Sequence, residues 1–283
     1  MSEPIKFKPV DRRSNLSVKT FNREYRNRVP VVVTDALDTW KARSAWTFGE
    51  LKAHYGGTAV HVQGFQDGQP HAALDRRMLL GEYIDNILTK DFHAFPFYLR
   101  DNHSLFVGHK ELWGDFTHPR YCFDWFRLLP DFTVRPGPRI FIGPRGSVQN
   151  LHQDMWGTFF WMAQLEGRKR WILFSPDQKS LLFEHPKSDF PGSVKRPVRP
   201  DMPDLERYPR FAEARGLECF CGPGDLIIVP RDWFHWVQSL DPSVSLTHNY
   251  MGPGNFRSCL TGQIKWNLSV AKQKQAKSAT PHG

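Results

Sequence analysis

The sequence predicts a mainly β fold, an antiparallel barrel or jelly roll flanked by α-helices. Three observations support this prediction. From Arg139 onward, short strand signals follow one another closely, separated by Gly, Pro and Asp turns. The 283 residues include 22 prolines and 21 glycines, which favours many turns. The 22 phenylalanines and 10 tryptophans supply large apolar side chains that can fill a barrel or line a pocket.

The first half of the chain alternates strand and helix signals. The stretch from Val29 is continuously apolar and β-branched, which predicts a short buried strand. Thr47 is placed to cap a short amphipathic helix that carries Phe48 and Leu51 on its apolar face. A strand followed by a helix therefore opens the fold.

The remaining elements of this half follow the same reasoning. Residues 58–65 alternate between apolar and polar and predict a strand, residues 76–88 predict a helix, and residues 95–101 predict another strand. Residues 101–138 are rich in aromatic residues and proline, and we expect irregular connections there without recognisable chemistry.

Strand signals dominate the second half of the chain. They occupy residues 139–144, 147–154, 158–167, 169–176, 218–230, 235–240 and 243–252. Between them, residues 177–216 form a Pro- and Arg-rich insert, which we expect to act as a basic flap over one barrel mouth.

The whole chain is predicted to form a single domain. Its barrel core spans about 139–255, preceded by an α/β flank at about 1–138 and followed by a C-terminal helix and basic tail at about 256–283. Within that tail, residues 256–274 predict the helix. Its thin apolar face, made by Ile264, Trp266 and Leu268, leaves a homodimer open.

Charge and cysteine usage limit the classes of function. Lysine and arginine total 38 against 29 aspartate and glutamate, a net charge of +9, which favours an acidic or phosphate-bearing partner. A merely solubilising surface fits equally well. The four cysteines form neither a metal motif nor a disulfide framework, and no apolar run of about 18 residues or secretory signal occurs. We expect a cytoplasmic protein that does not contact a membrane.

His152 and Asp154 form an H-x-D motif on a predicted strand, where two residues of spacing place both side chains on one face. His235 lies on a later strand, just after a Gly-Pro-Gly-Asp turn. Two histidines and one carboxylate on neighbouring strands form the triad that binds non-haem Fe(II) and leaves three open positions. Zinc fits the same three ligands. The triad alone therefore predicts a metal site.

Lys169 indicates which kind of ligand binds beside the metal site. Strand alternation places Lys169 on the same face as Trp171 and Leu173, with Arg168 and Arg170 on the other face. The opposite orientation would bury two cations. A lysine inside an apolar barrel needs an anion, because an unpaired buried charge costs several kcal/mol. The distal carboxylate of a dicarboxylate bound at the metal would meet that need.

The same alternation places Ser245, Thr247 and Asn249 on one face of a later strand. The amide of Asn249 is then positioned to hydrogen-bond a chelator at the metal. His248 faces outward and is not predicted to be a ligand.

The stretch from Asn150 to Gln178, the Gly-Pro-Gly-Asp turn and the Pro-Arg-Asp-Trp-Phe-His segment resemble the JmjC or cupin-8 family of Fe(II)- and 2-oxoglutarate-dependent oxygenases. The sequence is most similar to its small hydroxylases, of the kind that hydroxylates an asparagine of hypoxia-inducible factor. The resemblance covers roughly residues 28–255. It implies a double-stranded β-helix (jelly-roll or cupin) barrel with flanking α-helices.

This resemblance implies that His152, Asp154 and His235 bind iron, and that Lys169 and Asn249 bind the cosubstrate. O2 would take the remaining iron position, and hydroxylation of a C–H bond would release succinate and CO2. Where the family usually has Thr or Ser three residues before the first histidine, this chain has Gln149, which is the candidate there. The lysine also lies two residues further from the H-x-D motif than in the asparaginyl hydroxylase.

Several alternatives stay open. A metal-binding cupin of non-oxygenase function explains the triad alone, and a nucleic-acid-binding module explains only the charge. Among oxygenase substrates, a protein or peptide side chain is favoured over tRNA, a small metabolite or methyl-lysine. Four aromatic residues are candidates for the wall that excludes water from the site. They are Trp156, Phe160, Trp171 and Trp233.

Overall fold

The computed structural model describes residues 7–101, 104–128, 137–183 and 197–278. The middle of the predicted insert and the end of the basic tail lie outside these residues. The described α-helices are α1 (Val18–Glu24), α2 (Ala42–Ala45), α3 (Phe48–Tyr55), α4 (Leu80–Thr89), α5 (Ser104–Gly108), α6 (Lys179–Leu182) and α7 (Phe256–Ser278).

Strands form most of the described structure. Those of the first half are β1 (Lys8–Pro9), β2 (Asp11–Arg13), β3 (Val31–Val33), β4 (Ala59–Gln66), β5 (Gln69–Pro70), β6 (Arg76–Leu79) and β7 (Phe97–Asp101). Those of the second half are β8 (Arg139–Gly143), β9 (Val148–His152), β10 (Phe159–Glu166), β11 (Lys169–Phe174), β12 (Leu217–Cys221), β13 (Leu226–Val229), β14 (Phe234–Ser239) and β15 (Ser243–Tyr250).

The described strands form two sheets that enclose a barrel. The smaller sheet has the order β1-β12-β11-β14-β9. The larger sheet runs β2-β3-β13-β10-β15-β8-β7-β4-β5, with β6 paired to β4. Strands β8 to β15 contribute four antiparallel strands to each sheet. This is the jelly-roll topology, so the predicted mainly β barrel with flanking helices is confirmed.

Alternation along the strands divides the apolar side chains between the barrel interior and its outer faces. The interior cluster includes Phe160, Met162, Trp171 and Leu173. On the outer face of the larger sheet, side chains such as Trp161 pack with residues of the N-terminal flank, including Trp40. Each sheet therefore buries both faces over much of its area.

The N-terminal flank matches the prediction at one point and departs from it at another. Thr47 caps α3 by accepting a hydrogen bond from the backbone N–H of Glu50, and Phe48 and Leu51 are buried as expected. The helix predicted over residues 76–88 is wrong in its first turn, because Arg76–Leu79 forms β6. Pairing with β4 outweighs the helical pattern there.

The described parts of the insert cover the outer face of the smaller sheet. Leu182, Val198 and Phe211 pack there against Ile172 and Phe174. For these residues the expected position over a barrel mouth is wrong, because apolar side chains of the insert complete a core behind β11. None of the helices in the described ranges is both long enough and apolar enough to span a membrane.

Candidate metal centre and adjoining pocket

The structure brings His152, Asp154 and His235 together. His152 ends β9 and His235 lies directly opposite it on β14. Asp154 follows two residues later, past the end of the strand, in extended backbone. One ligand atom from each residue can be chosen such that all three lie within 4.8 Å of one another. Among the described residues, this is the only group of three or more His, Cys, Asp or Glu side chains with such spacing.

Both imidazoles are held so that one nitrogen remains available. Nδ1 of His152 lies 2.7 Å from the carbonyl oxygen of Asn150, and Nδ1 of His235 lies 3.2 Å from that of Trp233. As donors, these Nδ1–H groups leave each Nε2 with a free lone pair. Burial, reinforced by His152, lowers the pKa of His235 to about 4, so this ring is neutral near pH 7. A neutral imidazole is the form that binds a metal.

Asn249 fixes the carboxylate of Asp154. Its amide Nδ2 donates to Oδ2 of Asp154 at 2.8 Å and to the hydroxyl of Thr158 at 2.9 Å. The other carboxylate oxygen lies 4.0 Å from Nε2 of His235. Asn249 therefore faces the site as expected, and in this structure its amide contacts Asp154.

The turn after Asp154 packs against the last helix. Trp156 and Gly157 both adopt left-handed backbone, with φ of 61° at each. The indole of Trp156 lies so close to Gly262 of α7 that a Cβ there would be 2.5 Å from the ring. The side chain of Asn255 also donates to the carbonyl of Gly157 at 3.0 Å. Helix α7 and Asn255, the residue before it, thus hold the turn that follows Asp154.

The three side chains open into a pocket inside the barrel, with about 530 Å³ of empty space that includes its open mouth. Its lining comprises Tyr98, Arg100, Arg139, Phe141, Ser147, Gln149, His152, Asp154, Phe160, Met162, Lys169, Trp171, His235, Val237, Ser239, Thr247 and Asn249. Gln149 is half-buried there. Phe160 and Trp171 form apolar wall, whereas Trp156 and Trp233 are absent from the lining.

Lys169 is the most deeply buried cation of this pocket, with 1% of its surface exposed. Its Nζ donates to the hydroxyl of Tyr98 at 3.2 Å, and no described carboxylate forms an ion pair with it. Burial lowers the pKa of Lys169 to about 7. An anion bound beside Nζ would restore the charged form, because an opposite charge offsets the cost of desolvation.

Sequence reasoning missed Tyr98, Arg100 and Arg139. Tyr98 and Arg100 lie on one face of β7, and Arg139 shares a face of β8 with Phe141. Strand alternation would have placed the two members of each pair on one face of their strand. It could not have shown that β7 joins the wall of the barrel, because its pairing with β8 is a long-range contact.

The donor set fits a ferrous ion and a dicarboxylate chelator. Two imidazole nitrogens and one carboxylate oxygen suit non-haem Fe(II). Further inside the pocket, Lys169 and Tyr98 offer a cation and a hydroxyl to a distal carboxylate. The hydroxyls of Ser147 and Ser239 hydrogen-bond each other at 2.9 Å in the same lining, and Ser239 lies opposite Lys169 in register.

Comparisons with known proteins agree with this arrangement. A family profile described as a cupin-like domain matches residues 18–255. The bifunctional arginine demethylase and lysyl-hydroxylase psr-1 of Caenorhabditis elegans is 30% identical over 275 residues, which cover 92% of this chain and 65% of that protein.

Two further relatives come from a plant and a bird. The lysine-specific demethylase JMJ21 of Arabidopsis thaliana is 29% identical over 87% of this chain and 26% of its own length. The 2-oxoglutarate and iron-dependent oxygenase JMJD4 of Gallus gallus is 24% identical over 87% of this chain and 60% of its own length. The chain thus spans between about a quarter and two thirds of these relatives.

Proposed function

The chain belongs to the cupin-like domain family, and from this premise we propose that it is an Fe(II)- and 2-oxoglutarate-dependent dioxygenase. It hydroxylates a C–H bond of a protein or peptide side chain and releases succinate and CO2. One observation carries the proposal: the His152, Asp154 and His235 cluster opens into the same pocket as a buried lysine without an anionic partner among the described residues.

In this proposal, His152, Asp154 and His235 hold the iron. Lys169, with Tyr98, pairs with the distal carboxylate of 2-oxoglutarate, and Asn249 and Gln149 line its metal end. Bound iron, cosubstrate and O2 would supply the oxidising chemistry that side chains lack.

The protein supplies position and protection from water. The Nδ1 contacts of the two histidines fix the direction of each Nε2, and the amide of Asn249 orients the carboxylate of Asp154. Phe160 and Trp171 exclude water beside His235, with the Phe160 ring centroid 4.8 Å from that of the imidazole.

An anaerobic titration tests this proposal. Fe(II) and then 2-oxoglutarate are added while the visible metal-to-ligand charge-transfer absorption is followed. We expect the band in the wild type and a higher half-saturating 2-oxoglutarate concentration in Lys169→Met. The matched control is Arg168→Met, because Arg168 lies one residue away on the outer face and pairs with Asp241. Iron binding without any band would contradict the proposal and favour a metal-binding cupin of another function.

The relatives support a protein substrate, because their names specify lysine and arginine as the residues they modify. The net charge of +9 further supports an acidic or phosphate-bearing partner. Mass spectrometry of candidate peptides after turnover would separate a gain of one oxygen from loss of a methyl group, and so distinguish hydroxylation from demethylation.

Three organisational points accompany the function. The chain forms one domain, which limited proteolysis would check by the absence of early stable fragments. The thin apolar face of α7 leaves a homodimer open, because Ile264, Trp266 and Leu268 are 58%, 46% and 59% exposed. Light scattering after size exclusion would report that mass. Its location is cytoplasmic, to be checked by fractionation of cells that express the tagged chain.

A further inference from the structure

Two arginines face the same pocket as the metal cluster. Arg100 lies on β7 directly opposite Phe141 in the register of the sheet, and Arg139 lies two residues before Phe141 on β8. Both therefore belong to one wall of the pocket lining. Among the described residues, neither arginine forms an ion pair with a carboxylate. Burial, and secondarily the charge of Arg100, lowers the pKa of Arg139, and the carboxylate of Asp154 opposes this shift only in part.

The charges of the pocket do not balance. Its lining contains three cations, Lys169, Arg100 and Arg139, and a single carboxylate, Asp154. Under the proposed function, the two positive charges of Fe(II) and the two negative charges of 2-oxoglutarate cancel each other. Two uncompensated positive charges therefore remain after the metal and cosubstrate are bound, and they attract an anion.

The three cations differ in burial, and this difference assigns them different roles. Lys169 is fully buried, Arg139 is half-buried and Arg100 is exposed. The ring of Phe141 lies between the buried lysine and the exposed arginine, with its centroid 5.8 Å from Nζ of Lys169 and 5.5 Å from Cζ of Arg100. The arginines consequently lie nearer the mouth, where a substrate enters, and the lysine lies nearer the closed end.

We propose that Arg100 and Arg139 bind a carboxylate of the substrate, so that the site selects an acidic peptide segment with an aspartate or glutamate at or beside the hydroxylated residue. This inference rests on the proposed function for the nature of the site. A guanidinium binds a carboxylate through paired, charge-assisted hydrogen bonds, which makes arginine suited to this recognition. The same two charges repel a lysine or arginine that lies at the pocket mouth beside the modified residue.

Fluorescence anisotropy with defined peptides tests the inference. The probes are three fluorescein-labelled heptapeptides with Gly-Gly ends and three central Asp, Asn or Lys residues. The protein carries Mn(II) in place of Fe(II), with 2-oxoglutarate, so that binding is measured without turnover. We expect the Asp peptide to bind more tightly than the Asn peptide, and the Lys peptide to bind most weakly. The preference should shrink as salt is raised.

Variants locate the effect in the pocket. Arg100→Gln and Arg139→Gln should each lower the affinity for the Asp peptide by about tenfold, the loss of one charge-assisted contact. Binding of the Asn peptide should stay unchanged. Arg77→Gln is the matched control, because Arg77 is exposed on β6 and lies outside the pocket, and it should change affinity less than about twofold. Arg139→Lys keeps the charge and should retain more affinity than Arg139→Gln.

Three results would overturn the inference. The first is equal binding of the Asp and Asn peptides, and the second is an equal loss of affinity for the Asp peptide in Arg100→Gln and Arg77→Gln. The third is competition by N-acetylaspartate amide as strong as that of the Asp peptide, which would show that the site binds a small carboxylate ligand and not a peptide. Arg100 is exposed, so Arg100→Gln decides the question even if Arg139→Gln fails to fold. The charge-transfer band is recorded on the same Fe(II)-loaded proteins. A band without peptide preference defeats only the substrate inference, whereas no band in the wild type defeats the proposed function.

Discussion

Two clusters of the same residue types lie on opposite sides of β15, and only one of them faces the pocket. The inner cluster is His152, His235 and Asp154, and the outer cluster is His118, His248 and Asp124. The paired rings are similarly close, with centroids 4.2 Å apart in the inner cluster and 4.8 Å apart in the outer one. Composition and ring proximity alone do not distinguish the two clusters, but only the inner one has ligand atoms within 4.8 Å of one another among the described residues.

The clusters differ in what their polar atoms contact. In the outer cluster, Asp124 accepts from the backbone N–H groups of Phe126 and Met251 and lies 3.2 Å from Nε2 of His248. Its rings pack under Trp161, and the Nδ1 atoms of His118 and His248 are buried in that packing with no hydrogen-bond partner among the described residues, rather than facing the pocket. In the inner cluster, backbone carbonyls hold Nδ1 and leave Nε2 toward the pocket. A metal site depends on where the free lone pairs point.

The sharpest test of this contrast removes each carboxylate in turn. Asp154→Ala should lower Fe(II) affinity by more than about 100-fold, because it deletes a proposed ligand, whereas Asp124→Ala should leave it within about twofold. Competition with a fluorescent metal chelator under anaerobic conditions measures both. Similar losses in the two variants would contradict the division of roles.

The two variants should have the reverse order of effects on the free energy of unfolding. Asp124→Ala should cost about 3–5 kcal/mol, because it leaves a buried histidine and two backbone N–H groups without their acceptor. Asp154→Ala should cost less than about 1 kcal/mol in the metal-free protein, because its carboxylate borders an open pocket. Urea denaturation in EDTA gives both values, and equal costs would show that the inner carboxylate also serves the fold.

A smaller effect is expected at Asn249. Asn249→Ala removes the amide that holds Oδ2 of Asp154, and should weaken Fe(II) binding by about 10–100-fold, as loss of a residue supporting a metal ligand does. Ser245→Ala serves as the control, since Ser245 lies on the same face of β15 but bonds Gln164. Unchanged metal affinity in Asn249→Ala would show that Asp154 keeps its position without the amide.

The smallest expected effect is on the loss of stability at acid pH. Burial lowers the pKa of His118 to about 4, so this ring stays neutral in the fold at pH values where the unfolded chain protonates it. Its contribution is complete above about pH 6.5 and is lost as pH falls toward 4. His118→Gln should flatten this decline by about 1–2 kcal/mol between pH 7 and 5. Urea unfolding across that range measures the slope, and an unchanged slope would locate the decline elsewhere.

Strand alternation made much of the site predictable. On β11 and β15, period two combined with the character of the neighbouring side chains placed Lys169 inward and His248 outward, and the structure agrees at both positions. Side chains on a pleated strand have only two directions, so one apolar neighbour fixes the rest. The roles assigned to these residues in metal and cosubstrate binding stay predictions.

Contacts between distant segments could not be predicted from the sequence. Tyr98, Arg100 and Arg139 reach the pocket because β7 pairs with β8 across about forty residues that contain no strand signal. The turn after Asp154 depends equally on a distant partner, since Gly262 leaves the space that Trp156 fills. Local periodicity carries no information on which strand or helix lies next in space.

The position of β9 at the end of the smaller sheet links metal binding to aggregation. Its His152 lies opposite His235 on β14, so a metal held by both would tie the outermost strand to its neighbour. A metal bound there would favour the state in which β9 covers the edge of β14, whose unpaired hydrogen-bonding groups would otherwise be the kind of surface on which chains assemble into aggregates. Under the proposed function, iron binding would then favour solubility as well as supply the chemistry of the site.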